Sequence, residues 1–177
     1  MSLAPRAALV AVIAVLAPSA HGASSTVVIS EVRAAGPDWI ELYNPSDAEA
    51  DLSGYLLADS GVDGSVKRET ALRFPEGTRL APHAYLLIVA NRGHHAGDGP
   101  QSQCVKGGPP RCLHARWGVG QSGRDTVRLL RADGSVAAEA TYPATGVPRG
   151  ASWGRIPDAD GPFRATRPTP GRRNEPR

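Results

Sequence analysis

Two glutamates invite a catalytic reading. Glu31 stands in the run ISEVR and Glu41 in DWIELY, two short segments that read as neighbouring strands. Paired carboxylates can share the work of acid and base, as in glycoside hydrolysis. On adjacent strands such a pair is more often a half-exposed hydrogen-bonding or salt-bridging set, and the abundant arginine here favours that reading. Asp38, Asp47, Asp51 and Asp59 fall at strand ends, where aspartate caps turns. Their spacing specifies no calcium site, and DADG at 158–161 lacks the remaining ligands of a calcium loop, so it reads as a β-turn.

A second group is His94, His95, Cys104, Cys112 and His114, all zinc-type ligands. The C-x7-C spacing is wider than a zinc knuckle. His94 and His95 are neighbours and cannot easily share one ion with both cysteines. In an exported chain an even cysteine count favours pairing, so a Cys104–Cys112 disulfide is expected in preference to zinc. Closing so short a loop stabilises by about 2–3 kcal/mol on the chain-entropy argument. No nucleophile stands out: Ser122 lies in GQSG, which is not a nucleophile elbow. There is no H-E-x-x-H, P-loop or dinucleotide fingerprint. No catalytic residue, metal or cofactor is expected, and the chain does not read as an enzyme.

The third group is basic. Arg124, Arg128 and Arg131 follow Trp117, and Arg172 and Arg173 lie near the C-terminus. Arginines beside aromatics can grip phosphates and stack bases. The net charge is only +3, falling to +2 without Arg6, and 17 acids balance much of the basic face. A solvated surface is the competing explanation.

Address and organisation frame these groups. In the first 22 of 177 residues Arg6 precedes an apolar run, 7–17, and small residues follow. The run is too short to span a bilayer, which needs about 20 residues. It reads as a secretory signal peptide cut after Gly22, with Ala20 the next choice. The product is then a secreted, periplasmic or cell-surface protein with no later transmembrane segment. Beyond it, short apolar or alternating runs recur at 26–33, 38–43, 54–59, 71–74, 84–90, 126–131, 136–142 and 151–154. Turn signals rich in Gly, Pro, Asn and Asp separate them, a pattern of an all-β sandwich or barrel. Two segments break the rhythm: 91–125, which holds both cysteines, and a basic, proline-rich tail, 164–177. The expected domain is 23–163, with the tail loosely held beyond it.

In DWIELYNPSD, Ile40 and Leu42 point to one side and suit the core. Trp39, Glu41 and Tyr43 point to the other, to the outer face or under a covering loop. Asn44 and Pro45 then stop the strand. Together with ISEV at 29–32, DLSGY at 51–55, FPEGT at 74–78, GRDTV at 123–127, SWGR at 152–155 and TPG at 169–171, this stretch resembles the lamin tail domain family, in its bacterial secreted branch. The resemblance covers about 26–174. The residues that carry it are Glu31, Trp39, Glu41, Asn44, Pro45, Asp51, Gly54, Asp59, Gly77, Trp153, Gly154, Arg155, Pro170 and Gly171. It implies an immunoglobulin-like β-sandwich, with 91–125 as a disulfide-closed insertion outside the family pattern. It also implies binding or scaffolding more than catalysis. The expected work is that of an interaction or adhesion module with a protein or glycan partner. Binding of DNA through the arginines comes second, and a small metal-dependent hydrolase third.

Overall fold

The computed structural model describes residues 27–177 apart from 35, 62, 91–96, 99–103, 110, 122 and 123, with only the backbone at 97 and 98. The expected signal peptide, His94 and His95 lie outside the described residues. Three sheets form. The largest is built from β1 (Val28–Arg33), β2 (Asp38–Tyr43), β7 (Tyr85–Ala90), β8 (Gly97–Asp98), β9 (Leu113–Ala115), β12 (Ser152–Arg155), β13 (Phe163–Arg167) and β14 (Glu175–Pro176). Its order is β14-β13-β12-β1-β2-β7-β9-β8. The second holds β4 (Leu56–Ala58), β5 (Leu72–Arg73), β10 (Asp125–Leu130) and β11 (Val136–Tyr142), in the order β11-β10-β4-β5. A small pair joins β3 (Ala50–Asp51) to β6 (Arg79–Leu80). Pairing is antiparallel except between β7 and β9.

The immunoglobulin-like β-sandwich expected from the sequence is present. Its core lies between the two larger sheets, where Ile29, Val32, Ile40 and Leu42 meet Leu57, Val127 and Leu129. Ile29 and Val32 are three residues apart, so a regular strand would send them to opposite faces. An irregularity in the pairing of β1 with β2 resolves this: Ile29 opposes Leu42 and Glu31 opposes Glu41, leaving Ser30 as the extra residue. The bulge returns Val32 to the core and turns Glu31 outward.

Three sequence readings need correction. Residues 164–177 are not a loose tail: β13 pairs with β12 along four residues, and Thr166, Thr169 and Asn174 are buried. Threonine and arginine hide the strand character there, because the segment packs through hydrogen bonds rather than apolar side chains. Nor is 91–125 wholly an insertion loop. β9 extends the large sheet from within it, and Leu113, Ala115, Trp117 and Val119 join the main core. Trp117 is 5% exposed and cannot stack on a base.

The corner after β2 shows why Asn44 ends that strand. Its side-chain amide donates to the carbonyls of Ala48 (2.8 Å), Leu80 (3.0 Å) and Ala81 (3.1 Å). Its Oδ1 accepts from Ser46 N–H and Ser46 Oγ. One fully buried side chain therefore ties the β2 turn to the segment leading into β7. Changing Asn44 to Ala would strand several of these groups in the interior and should cost about 2–3 kcal/mol of stability. Urea unfolding would measure it, and a loss within the range of ordinary surface substitutions would contradict this account.

Candidate functional site

The outer face of the large sheet is covered, in two halves. Over one half lies the Cys104–Cys112 loop. The disulfide expected from the sequence is formed, and Cys112 packs with Trp39, Leu87 and Val89 in a second apolar cluster joined by Cys104 and Val105. Trp39 opposes Val89 and Glu41 opposes Leu87 in the β2–β7 register, which places all four on that face. Over the other half runs the segment 168–174 between β13 and β14, and beneath it sit Glu31 and Glu41.

Both glutamates are fully buried. Glu31 Oε1 accepts from Ser152 Oγ, and Oε2 accepts from Thr169 N–H (3.2 Å) and lies 2.8 Å from Thr169 Oγ1. Glu41 Oε1 accepts from Ser30 Oγ (3.1 Å) and Oε2 from the backbone N–H of Gly171. That close approach needs glycine at 171. Its φ is +78°, and a Cβ there would lie 2.9 Å from Pro109 Cδ. Gly154 is constrained by space instead, since a Cβ would come within 2.9 Å of Thr166 Oγ1 and 3.1 Å of Asn174 Nδ2.

Asp158 completes the group. It accepts from Tyr85 O–H (2.7 Å) and from Asn174 N–H, while the Asn174 amide donates to the carbonyls of Ser30 (3.0 Å) and Arg155 (2.9 Å). The sequence reading of 158–161 as a plain turn missed this role, because the partners lie in distant strands. Arg155 lies 4.3 Å over the Phe163 ring and donates to the carbonyls of Ile29 and Gly161. It pins the same closing hairpin through backbone contacts.

Among the described residues no arginine or lysine forms a salt bridge with Glu31 or Glu41, which corrects the expectation of a half-exposed, salt-bridging pair. Burial raises the Glu31 carboxyl above its ordinary value, against the hydrogen bonds from Ser152 and Thr169. Burial raises Glu41 well above its own; the Gly171 N–H opposes this, and the charges of Glu31 and Asp158 add to the rise. A neutral Glu31 also suits the geometry. Thr169 Oγ1 lies 2.8 Å from Glu31 Oε2 and 2.9 Å from Asn174 Oδ1, and has one proton to give. A protonated Oε2 would donate to Thr169 Oγ1, freeing that hydroxyl to donate to Asn174. The pair is thus held as a sealed internal network under the closing segment. Its chemistry is that of attachment, not of an exposed acid and base.

The basic residues do not converge. Arg128 sits on the outer face of the smaller sheet, bonded to Glu139 (3.3 Å) and the Gly64 carbonyl (3.2 Å). Arg131 braces its own hairpin through the Val136 carbonyl (2.9 Å). Arg172, on the segment that covers the large sheet, pairs with Glu175 (2.5 Å). Arg124 and Arg173 are exposed. Trp153 is half-buried and stacked on Phe163. Of the strand-end aspartates, Asp51 caps Ser53 N–H (2.9 Å), Asp59 pairs with Lys67 (2.6 Å) and Asp47 meets His83 (2.9 Å). Gly54 and Gly77 take positive φ at turns, as their motif positions require.

The raised carboxyls set a pH dependence. Below the unfolded value, near 4.5, both states hold the Glu41 proton, and its contribution is fully present. Above it, only the folded state retains the proton, so stability is lost as pH rises through the folded value. Denaturant stability should therefore decline as pH rises above the ordinary carboxylate range. In Glu41→Gln the decline should flatten, since a glutamine can accept from Gly171 N–H and donate to Ser30 Oγ. Parallel pH profiles for the two proteins would refute the assignment.

The profile of the family described as Lamin Tail Domain matches residues 20–144. No curated protein matches the chain. The matched region ends before β12, so the three strands and the closing segment that seal Glu31 and Glu41 lie beyond it. The match covers well over half of the sequence and includes the Asn44 corner, both glutamates and the strands from β1 to β11. The chain belongs to the lamin tail domain family, a family of non-enzymatic immunoglobulin-like domains.

Proposed function

We propose that this lamin tail domain is an exported, non-catalytic interaction module, acting at the cell surface or beyond it as an adhesion or scaffolding unit. The observation that carries the reading is the use made of Glu31 and Glu41: an acid pair of the kind that serves catalysis is sealed beneath residues 168–174 and holds them. A signal-like N-terminus and a disulfide support export. Among the described residues no helix is long and apolar enough to cross a membrane, which is compatible with it.

The binding surface is the rim of the stapled loop. A cleft of about 410 Å³ opens between the turn at 75–79 and residues 111–113, lined by Glu76, Arg79, Leu86, Arg111 and Leu113. An apolar floor between charges of both signs suits a protein segment or a glycan. Expression in a secreting host with N-terminal sequencing tests the export claim. The secreted product should begin at Ala23, and a chain retained uncut inside the cell would contradict it.

The second reading is electrostatic binding of DNA, supported by the exposed Arg124 and Arg173. Titration into labelled duplex DNA, followed by anisotropy, discriminates the two. Binding through arginines should weaken steeply between about 50 and 200 mM salt and fall further when Arg172 and Arg173 are changed to glutamine. Absence of binding at the lower salt removes the DNA reading and leaves the cleft.

A further inference from the structure

The Cys104–Cys112 loop carries a third soft ligand that the disulfide does not use. Cys112 and His114 are two residues apart at the start of β9, so their side chains share one face of the sheet. His114 Nε2 lies 3.5 Å from Cys112 Sγ. Cys104 reaches the same spot from the covering loop, and the two sulfurs and one imidazole nitrogen all lie within 4.8 Å of one another. Cys112 and His114 are buried, whereas Cys104 is half-exposed. A reductant thus has access to one sulfur, and a metal formed there would keep one open side.

The geometry points to a redox-gated metal site: with the disulfide reduced, Cys104, Cys112 and His114 bind one soft or borderline cation of the zinc or copper(I) class. Donors around a tetrahedral zinc stand roughly 3.5 Å apart, given bonds of about 2.3 Å to sulfur and 2.0 Å to nitrogen. The Cys112–His114 separation already has that value. The two sulfurs must part, and the loop between them contains Gly107 and Gly108 to absorb the change. Residues 104–112 are thereby held over Trp39 by either of two closures, a covalent bond or a shared ion.

The step balances simply. A dithiol donates two electrons and two protons to the Cys104–Cys112 bond and becomes a disulfide itself. The two thiols then lose their protons to solvent as a divalent ion binds, and neutral His114 contributes its ring nitrogen. Transfer of two electrons from the thiolates to a disulfide oxidant, which becomes a dithiol, re-forms the Cys104–Cys112 bond and releases the metal.

Cobalt(II) is the probe. The purified protein is reduced with a phosphine, which takes its oxygen from water, desalted without air and titrated with cobalt. Reduced protein should develop a near-ultraviolet thiolate-to-cobalt charge-transfer band that saturates at one ion per chain, and oxidised protein should not. His114→Gln should weaken binding by more than about tenfold, given that even outer-shell changes at metal sites cost that much. Cys104→Ser should abolish the band, and it decides the matter if the His114 variant does not fold by near-ultraviolet circular dichroism. The proposal is overturned if reduced protein gives no band, whether its dichroism stays native or is lost and not restored by cobalt. Equal cobalt binding by the oxidised protein, or a His114→Gln variant with unchanged affinity, would also overturn it.

Discussion

Two carboxyl groups face each other across β1 and β2, on the side of the sheet away from the main core, and among the described residues neither forms a salt bridge with a cation. Burying such a pair is unfavourable unless donors surround it or protons neutralise it. The protein does both. Ser30, Ser152, Thr169 and the backbone of Gly171 supply donors, and burial favours the protonated acids. The donors come from β12, from the segment after β13 and from the bulge in β1. The large sheet therefore cannot satisfy its own second strand until the C-terminal strands have been added to it. This makes residues 164–177 part of the domain rather than an appendage.

The same sheet face is closed at its other end by a different device. Trp39, Leu87 and Val89 need an apolar cover, and the stapled loop supplies it through Cys112, Cys104 and Val105. One half of the face is thus sealed by polar satisfaction and the other by apolar contact under a covalent clamp. The two meet where Pro109, in the loop, crowds Gly171, in the closing segment. The rims, where turns of the sandwich border the loop, carry the proposed binding surface.

An interaction domain gains from this construction. Loops stand on a rigid frame, and their ordering is completed during folding, which lowers what binding must spend on immobilising them. The disulfide sits where it fixes the edge strand β9 and the rim together. His114 beside it gives that clamp a chemistry beyond closure of the chain.

Much of this was legible in the chain. Alternation in DWIELY and its neighbours placed the main strands to within a residue or two, and the same period put Ile40 and Leu42 inside and Trp39 with Glu41 outside. The even cysteine count, read with the expectation of export, pointed to the disulfide, and Asn44 with Pro45 marked the corner. These are local signals, carried by residues close in sequence. What covers the outer face was not local. Asp158 as an acceptor for Tyr85, Thr169 as a partner of Glu31, and Asn174 as a donor to the bulged Ser30 join positions over 70 to over 130 residues apart. The polar closing strands showed no apolar period, and so they read as tail. The sequence alone determined the strands that carry an apolar or alternating pattern and which faces they bury. Only the tertiary structure decided that the glutamates are sealed rather than exposed, because the groups that satisfy them come from the far end of the chain.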